Sequence, residues 1–272
     1  MTKSQFPYLH GFSHDEQARL RKQARFAEYT VYQDVNLSGV KNLLEVGCGV
    51  GAQSEIILRR FPDLHLTGID LSDAQLATAK KNLEHAPWAK DRYTIQKMDA
   101  TRMNFSPGQF DGAFLCWILE HVPNPIQVLS EVRRVFKPGS VVYVTEVMNS
   151  SFFLEPYSPN VWKYWMAFND YQHDNAGDPF VGAKLGNFLM QLGFHNVETQ
   201  VKTWFLDNRQ PQKRKECVDY WNELLLSAKD QLIQAKYVTQ EIVDGMVEEM
   251  HHVANNPNAV FFYSFVQAKA KV

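Results

Sequence analysis

Residues 41–46 form a short apolar run that stops at Gly47-Cys48-Gly49-Val50-Gly51, and residues 52–61 then carry helical periodicity. A strand, a glycine turn and a helix in immediate succession leave few folds open. Closely spaced glycines let the backbone turn sharply and approach a ligand, while the helix that follows directs unpaired N–H groups back toward the turn. Such a unit normally opens a parallel sheet whose strands are joined by helices.

The rest of the first half continues that pattern. Ser13-His14-Asp15-Glu16 fits a capping box, and Leu20, Ala24, Ala27 and Val31 recur at helical spacing, so residues 13–34 read as an amphipathic helix ahead of the first strand. Residues 64–70 read as a second strand, and Ser72 caps a helix to about residue 84. Residues 93–98 and 110–116 are the third and fourth strands. Asn124-Pro125 opens another helix, Lys137-Pro138-Gly139 ends it, and residues 141–147 are the fifth strand. Five strands alternating with helices predict a Rossmann-like doubly wound α/β sheet with right-handed crossovers.

Beyond residue 148 the pattern loosens. Residues 149–181 are rich in aromatics and prolines with broken helical periodicity, 182–192 are helical, 196–205 alternate as a strand, 213–253 read as a long helical stretch, and 259–268 form a last strand. The expected organisation is one domain: a helical segment over 1–38, a core over 39–148, helical cap insertions over 149–181 and 205–258, and 182–204 with 259–272 completing a seven-stranded sheet. That sheet is mostly parallel, with an antiparallel last strand.

Composition narrows the function classes. With 28 Lys+Arg against 30 Asp+Glu, the 272-residue chain lacks the basic field that gripping nucleic acid requires. No stretch is long and apolar enough for a membrane span, and the start of the chain has no apolar signal core, so a cytoplasmic protein is expected. Three widely spaced cysteines, Cys48, Cys116 and Cys217, offer neither a disulfide framework nor a CxxC metal site. The aromatic fraction, 13%, is high enough to need an explanation.

The chemistry-bearing positions lie at the carboxyl ends of the strands. Gly47-x-Gly49-x-x-Ala52 also fits the dinucleotide fingerprint, and Asp70, ending the second strand, places a carboxylate where both ribose hydroxyls of an adenosine can donate to it. On these residues alone an adenosine-containing cofactor is expected, and a NAD-dependent oxidoreductase remains open beside other users of adenosine.

Further motifs separate the alternatives by resemblance. Leu43-Leu44-Glu45-Val46-Gly47-Cys48-Gly49-Val50-Gly51, Gly68-Ile69-Asp70-Leu71-Ser72, Met98-Asp99-Ala100, Phe110-Asp111, Trp117-Ile118-Leu119-Glu120-His121-Val122 and Phe136-Lys137-Pro138-Gly139 resemble, in order and spacing, the motifs of class I S-adenosylmethionine-dependent methyltransferases. Within that superfamily the chain is most similar to the small-molecule ubiquinone/menaquinone C-methyltransferase-like group. Ser140 stands where a second glycine is commoner.

The resemblance implies a cofactor, S-adenosylmethionine, and a set of contacts. The Gly47, Cys48, Gly49 and Gly51 loop would pass under its methionine part, with Glu45 supporting the strand end. Asp70 would hold the ribose hydroxyls and Leu71 would pack on the adenine. Asp99 would accept from the adenine amino group while the Ala100 N–H meets a ring nitrogen. Cys116 would contribute its backbone near the methionine amino group, residues Trp117 to His121 would border the methyl, and Tyr8 would fold over the cofactor. The product would be S-adenosylhomocysteine.

His121 and Glu146 are the candidates for a general base, an imidazole for its pKa near working pH and a carboxylate for its place at the end of the fifth strand. His121 has a structural alternative, a backbone hydrogen bond after the strand, and Glu146 a second functional one, contact with the substrate. His173-Asp174-Asn175 and His251-His252 lack the spacing of metal ligands, so no metal is expected. The acceptor is expected to be a small molecule, aromatic or otherwise apolar, bound under the cap by a monomer or homodimer. Nucleic acid is disfavoured, since the chain lacks both a basic stripe and the Asn/Asp-Pro-Pro-aromatic motif of base aminomethylation. A non-catalytic cofactor-binding protein of the same fold is the remaining alternative.

Overall fold

In the computed structural model, which describes residues 9–272, the first helix, α1 (His14–Tyr32), starts at Ser13, whose hydroxyl accepts from Glu16 N at 3.1 Å. It buries Ala24, Ala27 and Val31 of the predicted stripe, with Leu20 only half-buried. The core then alternates β1 (Asn42–Val46), α2 (Ala52–Arg60), β2 (His65–Asp70), α3 (Asp73–Glu84), β3 (Tyr93–Lys97), β4 (Phe110–Cys116), α4 (Pro125–Val135) and β5 (Phe136–Val147). Side-chain caps fix two of these helix starts: Ser72 Oγ accepts from Gln75 N, and Asn124 Oδ1 from Gln127 N.

The second half contributes β6 (Phe153–Glu155), α5 (Pro159–Asp174), α6 (Leu185–Gln191), β7 (His195–Leu206), α7 (Pro211–Leu226), α8 (Lys229–Gln234), α9 (Gln240–Asn255) and β8 (Val260–Lys271). The sheet runs β3-β2-β1-β4-β5-β8-β6, with β7 paired to β8 off that path. Strands β1 to β5 are parallel, and β8 is antiparallel to each neighbour. One edge of β8 serves two strands end to end: Phe265 to Lys271 pair with β5, and Val260 to Phe262 pair with β6. The sheet therefore has eight strands where seven are expected. Strand β6 arises inside the segment expected as helical cap, three residues long and without a periodicity that sequence can register.

Alternate residues of the central strands enter two cores. Leu43, Phe114 and Tyr143 join the core beneath α1, α2 and the cap, while Leu44, Ala113, Leu115, Val142 and Val144 join the core on the α4 and α6 side. Burial on both faces explains why these strands read as continuous apolar runs. The expected helical stretch over 213–253 consists of three helices. Lys236 adopts φ +64° after α8, and Tyr237 N donates to Leu232 O, which ends the helix at a non-glycine left-handed residue.

Much of the surplus aromatic content packs the cap itself. Phe152 stacks on Trp221 at 5.5 Å, and Trp221 meets Tyr263 at 4.6 Å and Trp165 at 5.7 Å. All four are buried. High aromaticity is thus a packing solution for helices α5, α7 and α9 over the sheet, rather than a signature of the acceptor.

Candidate active site

Strand β1 delivers the glycine loop to the carboxyl edge of the sheet. Gly47, Gly49 and Gly51 have φ of +73°, +50° and +73°, and the loop is anchored where Gly47 N and Cys48 N both donate to Ile69 O. The two outer glycines are fixed by packing. A Cβ on Gly47 would lie 2.5 Å from Ile118 Cδ1, and one on Gly51 would lie 3.2 Å from Ala79 Cβ. At Gly49 a Cβ would meet none of the described residues within 4 Å, in contrast to its two neighbours in the loop. Gly51 is the left-handed N-cap of α2 and gives the helix no side-chain cap, which leaves its first-turn N–H groups to the loop or a ligand.

Asp70 stands beside the loop. Its Oδ2 accepts from Gly49 N at 3.0 Å and its Oδ1 from Ser72 N at 2.9 Å, so one carboxylate fixes the loop and the start of α3 together. Burial raises its pKa, against the opposing effect of N–H donors from Ser72, Gly49 and Leu71. With three N–H donors on about four lone-pair positions, the carboxylate retains one for a ribose hydroxyl. Leu71 is 60% exposed, an apolar surface beside Asp70. Cys48 is buried, its Sγ lying under Gly68.

Glu45 is buried at the end of β1 and hydrogen-bonds Ser54 of α2. Burial pushes its carboxyl up to about 8, partly opposed by Ser54 and reinforced by the charge of Asp70. Asp99 lies just past β3, where its Oδ1 accepts from both Thr101 N (2.8 Å) and Thr101 Oγ1 (2.7 Å). It shapes a turn, with the half-buried Ala100 inside it. Tyr8 lies outside the described residues.

Beyond β4 the chain turns sharply. Cys116 accepts from Gln53 Nε2 through sulfur, Trp117 takes φ +55° with its N–H on Thr145 O, and residues 119–121 form a single 3-10 turn. Trp117 places its ring edge-on to Phe265. Glu146 organises this turn from below. It is fully buried, and its Oε1 accepts from Ile118 N at 2.9 Å and Leu119 N at 2.7 Å, with Glu120 N 3.4 Å from Oε2. The expectation that Glu146 faces the ligand is corrected: a carboxylate closed in under three backbone N–H groups cannot reach an acceptor.

His121 projects from the turn with 18% of its side chain exposed, its Nε2 3.6 Å from Glu120 Oε1. Glu120 is held in turn by Gln172 Nε2 of α5, on both its carboxylate and its carbonyl oxygen. Against the edge of His121, at 6.0 Å between ring centroids, lies His10, which the motifs do not reach. Only its membership of the segment before α1 hinted at a role. Among the described residues no group of three His, Cys, Asp or Glu can hold a metal ion, and the His173–Asp174 pair is exposed on α5.

This geometry defines a Rossmann-like domain whose glycine loop and acidic strand end suit an adenosine-containing cofactor. Residues 44–144 match the family model described as a methyltransferase domain. The ubiquinone biosynthesis O-methyltransferase of Dechloromonas aromatica (strain RCB) is 37% identical over 119 residues, 42% of this chain and 47% of that protein. The chain thus spans about half the length of that relative. A Bacillus halodurans C-125 protein provisionally assigned as a methyltransferase shares the fold at a TM-score of 0.59 and 17% identity, over 90% of this chain and 97% of that one. A geranyl diphosphate C-methyltransferase from Streptomyces coelicolor A3(2) does so at 0.52 and 14%, over 92% and 78%. Residues 44–144 thus match a methyltransferase domain, and the fold over nine-tenths of the chain is shared with these solved structures.

Proposed function

We propose that the protein transfers a methyl group from S-adenosylmethionine to a small-molecule acceptor. The match of residues 44–144 to the methyltransferase domain carries this reading, because it covers the glycine loop, Asp70 and the 117–121 turn in one continuous stretch. The residues present fit the cofactor: a Cβ position at Gly49 that no described residue approaches within 4 Å, a lone-pair position left on Asp70 for the ribose, and the apolar Leu71 for the adenine. Asp99 and Ala100 lie past the end of β3 for the adenine edge, and Cys116 and Trp117 at the end of β4 for the methionine end. When bound, the cofactor supplies a methyl group made electrophilic by the adjacent sulfonium.

The protein's part is alignment and exclusion of water. Glu146 holds the 118–120 backbone, Ile118 packs on Gly47, and Gln172 ties Glu120 to the cap, so the turn facing the methyl is fixed to the sheet, the loop and α5 together. Helices α5, α7 and α9 pack on one another over the sheet, and in this reading the acceptor enters on their side of the turn. The O-methyltransferase name of the relative matched across this core supports a hydroxyl acceptor. Three free thiols, Cys48, Cys116 and Cys217, accord with a reducing cytoplasmic setting.

The test is turnover of S-adenosylmethionine labelled at the methyl, incubated with the protein and a metabolite extract. Label appearing in an extract component, dependent on Asp70, is the expected result; binding of the cofactor product without any transfer would mark a non-catalytic binding protein.

A further inference from the structure

Helix α1 stops at Tyr32, so the lower part of the sheet face that it covers is left to residues 33–41. Its cover reaches Gln267 of β8, whose Nε2 donates to Val31 O at 2.9 Å and to Thr145 Oγ1 at 2.9 Å. Lys269 and Lys271 follow on the same face of β8, because side chains alternate along a strand. Between these lysines and the loop lies a cavity of about 450 Å³. It stands at the amino ends of β4 and β5, the edge of the sheet opposite the glycine loop.

Hydrogen bonds hold its walls. Asn36 N donates to Tyr143 Oη at 3.1 Å, which ties the loop to β5, and Asp111 Oδ1 accepts from Lys41 N at 3.0 Å and Asn42 N at 2.8 Å, which ties it to β4. Val40 and Val141 add apolar lining, and Ser38 brings a hydroxyl at an exposed position. The charge is uneven. Lys269 is half-buried and Lys271 exposed, and among the described residues neither ammonium group has an ion pair or a hydrogen bond. Glu198 stands across from Lys269 on β7, yet it makes no ion pair with it and does not line the cavity. Asp111 is the one carboxylate among the lining residues, and two backbone N–H groups already engage it. Two like charges at strand positions about 7 Å apart repel until an anion lies between them.

We propose that this cavity binds a small phosphate monoester, its phosphate between the ammonium groups of Lys269 and Lys271 with the Ser38 hydroxyl as a further donor, and its organic part against Val40 and Val141. A phosphate monoester carries nearly two negative charges on one group at neutral pH, which matches two ammonium groups in sign and in number. The apolar lining and the volume leave room for more than the bare anion. The inference is independent of the methyl-transfer reading. Val141 at the cavity and Glu146 under the 118–120 turn lie about 17 Å apart along β5, so a ligand here does not meet the cofactor.

The probe is phenyl phosphate, titrated into the full chain at neutral pH and at an ionic strength held constant with chloride, and read by amide NMR. The amides of Gly39, Gly139, Lys269 and Lys271 should shift saturably, with a midpoint below about 10 mM. Lys269→Gln should weaken binding about tenfold or more, the loss of one charge-assisted hydrogen bond. Ser38→Asp keeps both lysines, adds a negative charge at an exposed loop position, and should weaken binding as well. Absence of saturable shifts at these amides, or equal affinity in wild type and both variants, overturns the site. Shifts confined to the amides of residues 47–51, or spread evenly over the exposed lysines, mark an adventitious ion only and overturn it too. Inorganic phosphate bound as tightly as the ester would overturn the assignment of an organic ligand.

Discussion

Glu146 Oε1 receives the backbone N–H of Leu119 at 2.7 Å, and the same oxygen receives that of Ile118 at 2.9 Å. Both strong bonds to this buried carboxylate converge on one atom. A carbonyl oxygen in the same place would accept both, so Glu146→Gln should keep near-wild-type stability and methyl transfer. Glu146→Ala leaves buried N–H groups unpaired and should cost about 3 kcal/mol. Thermal denaturation with turnover checks the pair. Loss of transfer in the Gln variant with the fold intact would return Glu146 to the role of a base.

Asp70 joins the loop to the start of α3, and in the proposed function it also receives the ribose. Asp70→Ala removes the acceptor of Gly49 N and Ser72 N along with the partner proposed for the ribose, and should weaken S-adenosylhomocysteine about 10- to 100-fold, the worth of one or two charge-assisted hydrogen bonds. Asp70→Asn, retaining one carbonyl oxygen, should fall between. Titration calorimetry reads both, and equal affinities across the three proteins would remove Asp70 from the site.

Two glycines two residues apart should respond differently to the same change. Gly47→Ala drives a methyl to within 2.5 Å of Ile118 and should lower the melting temperature. Gly49→Ala meets none of the described residues; its cost to folding is the left-handed φ of +50°, about 1 kcal/mol, while in the proposed function its methyl enters the cofactor's side of the loop. Its larger effect should be on affinity for S-adenosylhomocysteine. Matching losses of stability in both variants would contradict this assignment of the two faces.

The buried carboxyl of Glu45 makes stability depend on pH. Its folded pKa is near 8, above that of the unfolded chain, so the acid form stabilises the fold fully below the unfolded value near 4.5, and the contribution is lost as pH rises to about 8. Each pH unit in that window removes at most about 1.4 kcal/mol. Glu45→Gln mimics the neutral form, so its melting temperature relative to wild type should climb from pH 5 to pH 8 in apo protein. A difference constant with pH would place the ionised form in the fold.

Legibility in the sequence followed local signals. The caps at Ser13, Ser72 and Asn124, the glycine loop and the alternating strands are written in neighbouring residues, and each forms as expected. Glu146 was misplaced because a carboxylate at a strand end has the same sequence whether it meets a ligand or closes on backbone N–H groups 26 to 28 residues away. Strand β6 exists because the far end of β8 offers it a partner, a pairing more than a hundred residues distant. The break after α8 uses Lys236 where a glycine is the usual signal. His10 depends on Ser227, 217 residues further along the chain, and no motif spans such a pair.

In the proposed function the glycine loop and the Asp70 carboxylate bonded to it take the methyl-donor cofactor rather than a nicotinamide nucleotide. The most direct measurement is calorimetric titration of the full chain with S-adenosylhomocysteine and, in parallel, with NAD. Saturable binding of S-adenosylhomocysteine that weakens in Asp70→Ala, with no heat from NAD, is the predicted result. Binding of NAD with none of S-adenosylhomocysteine would contradict the account.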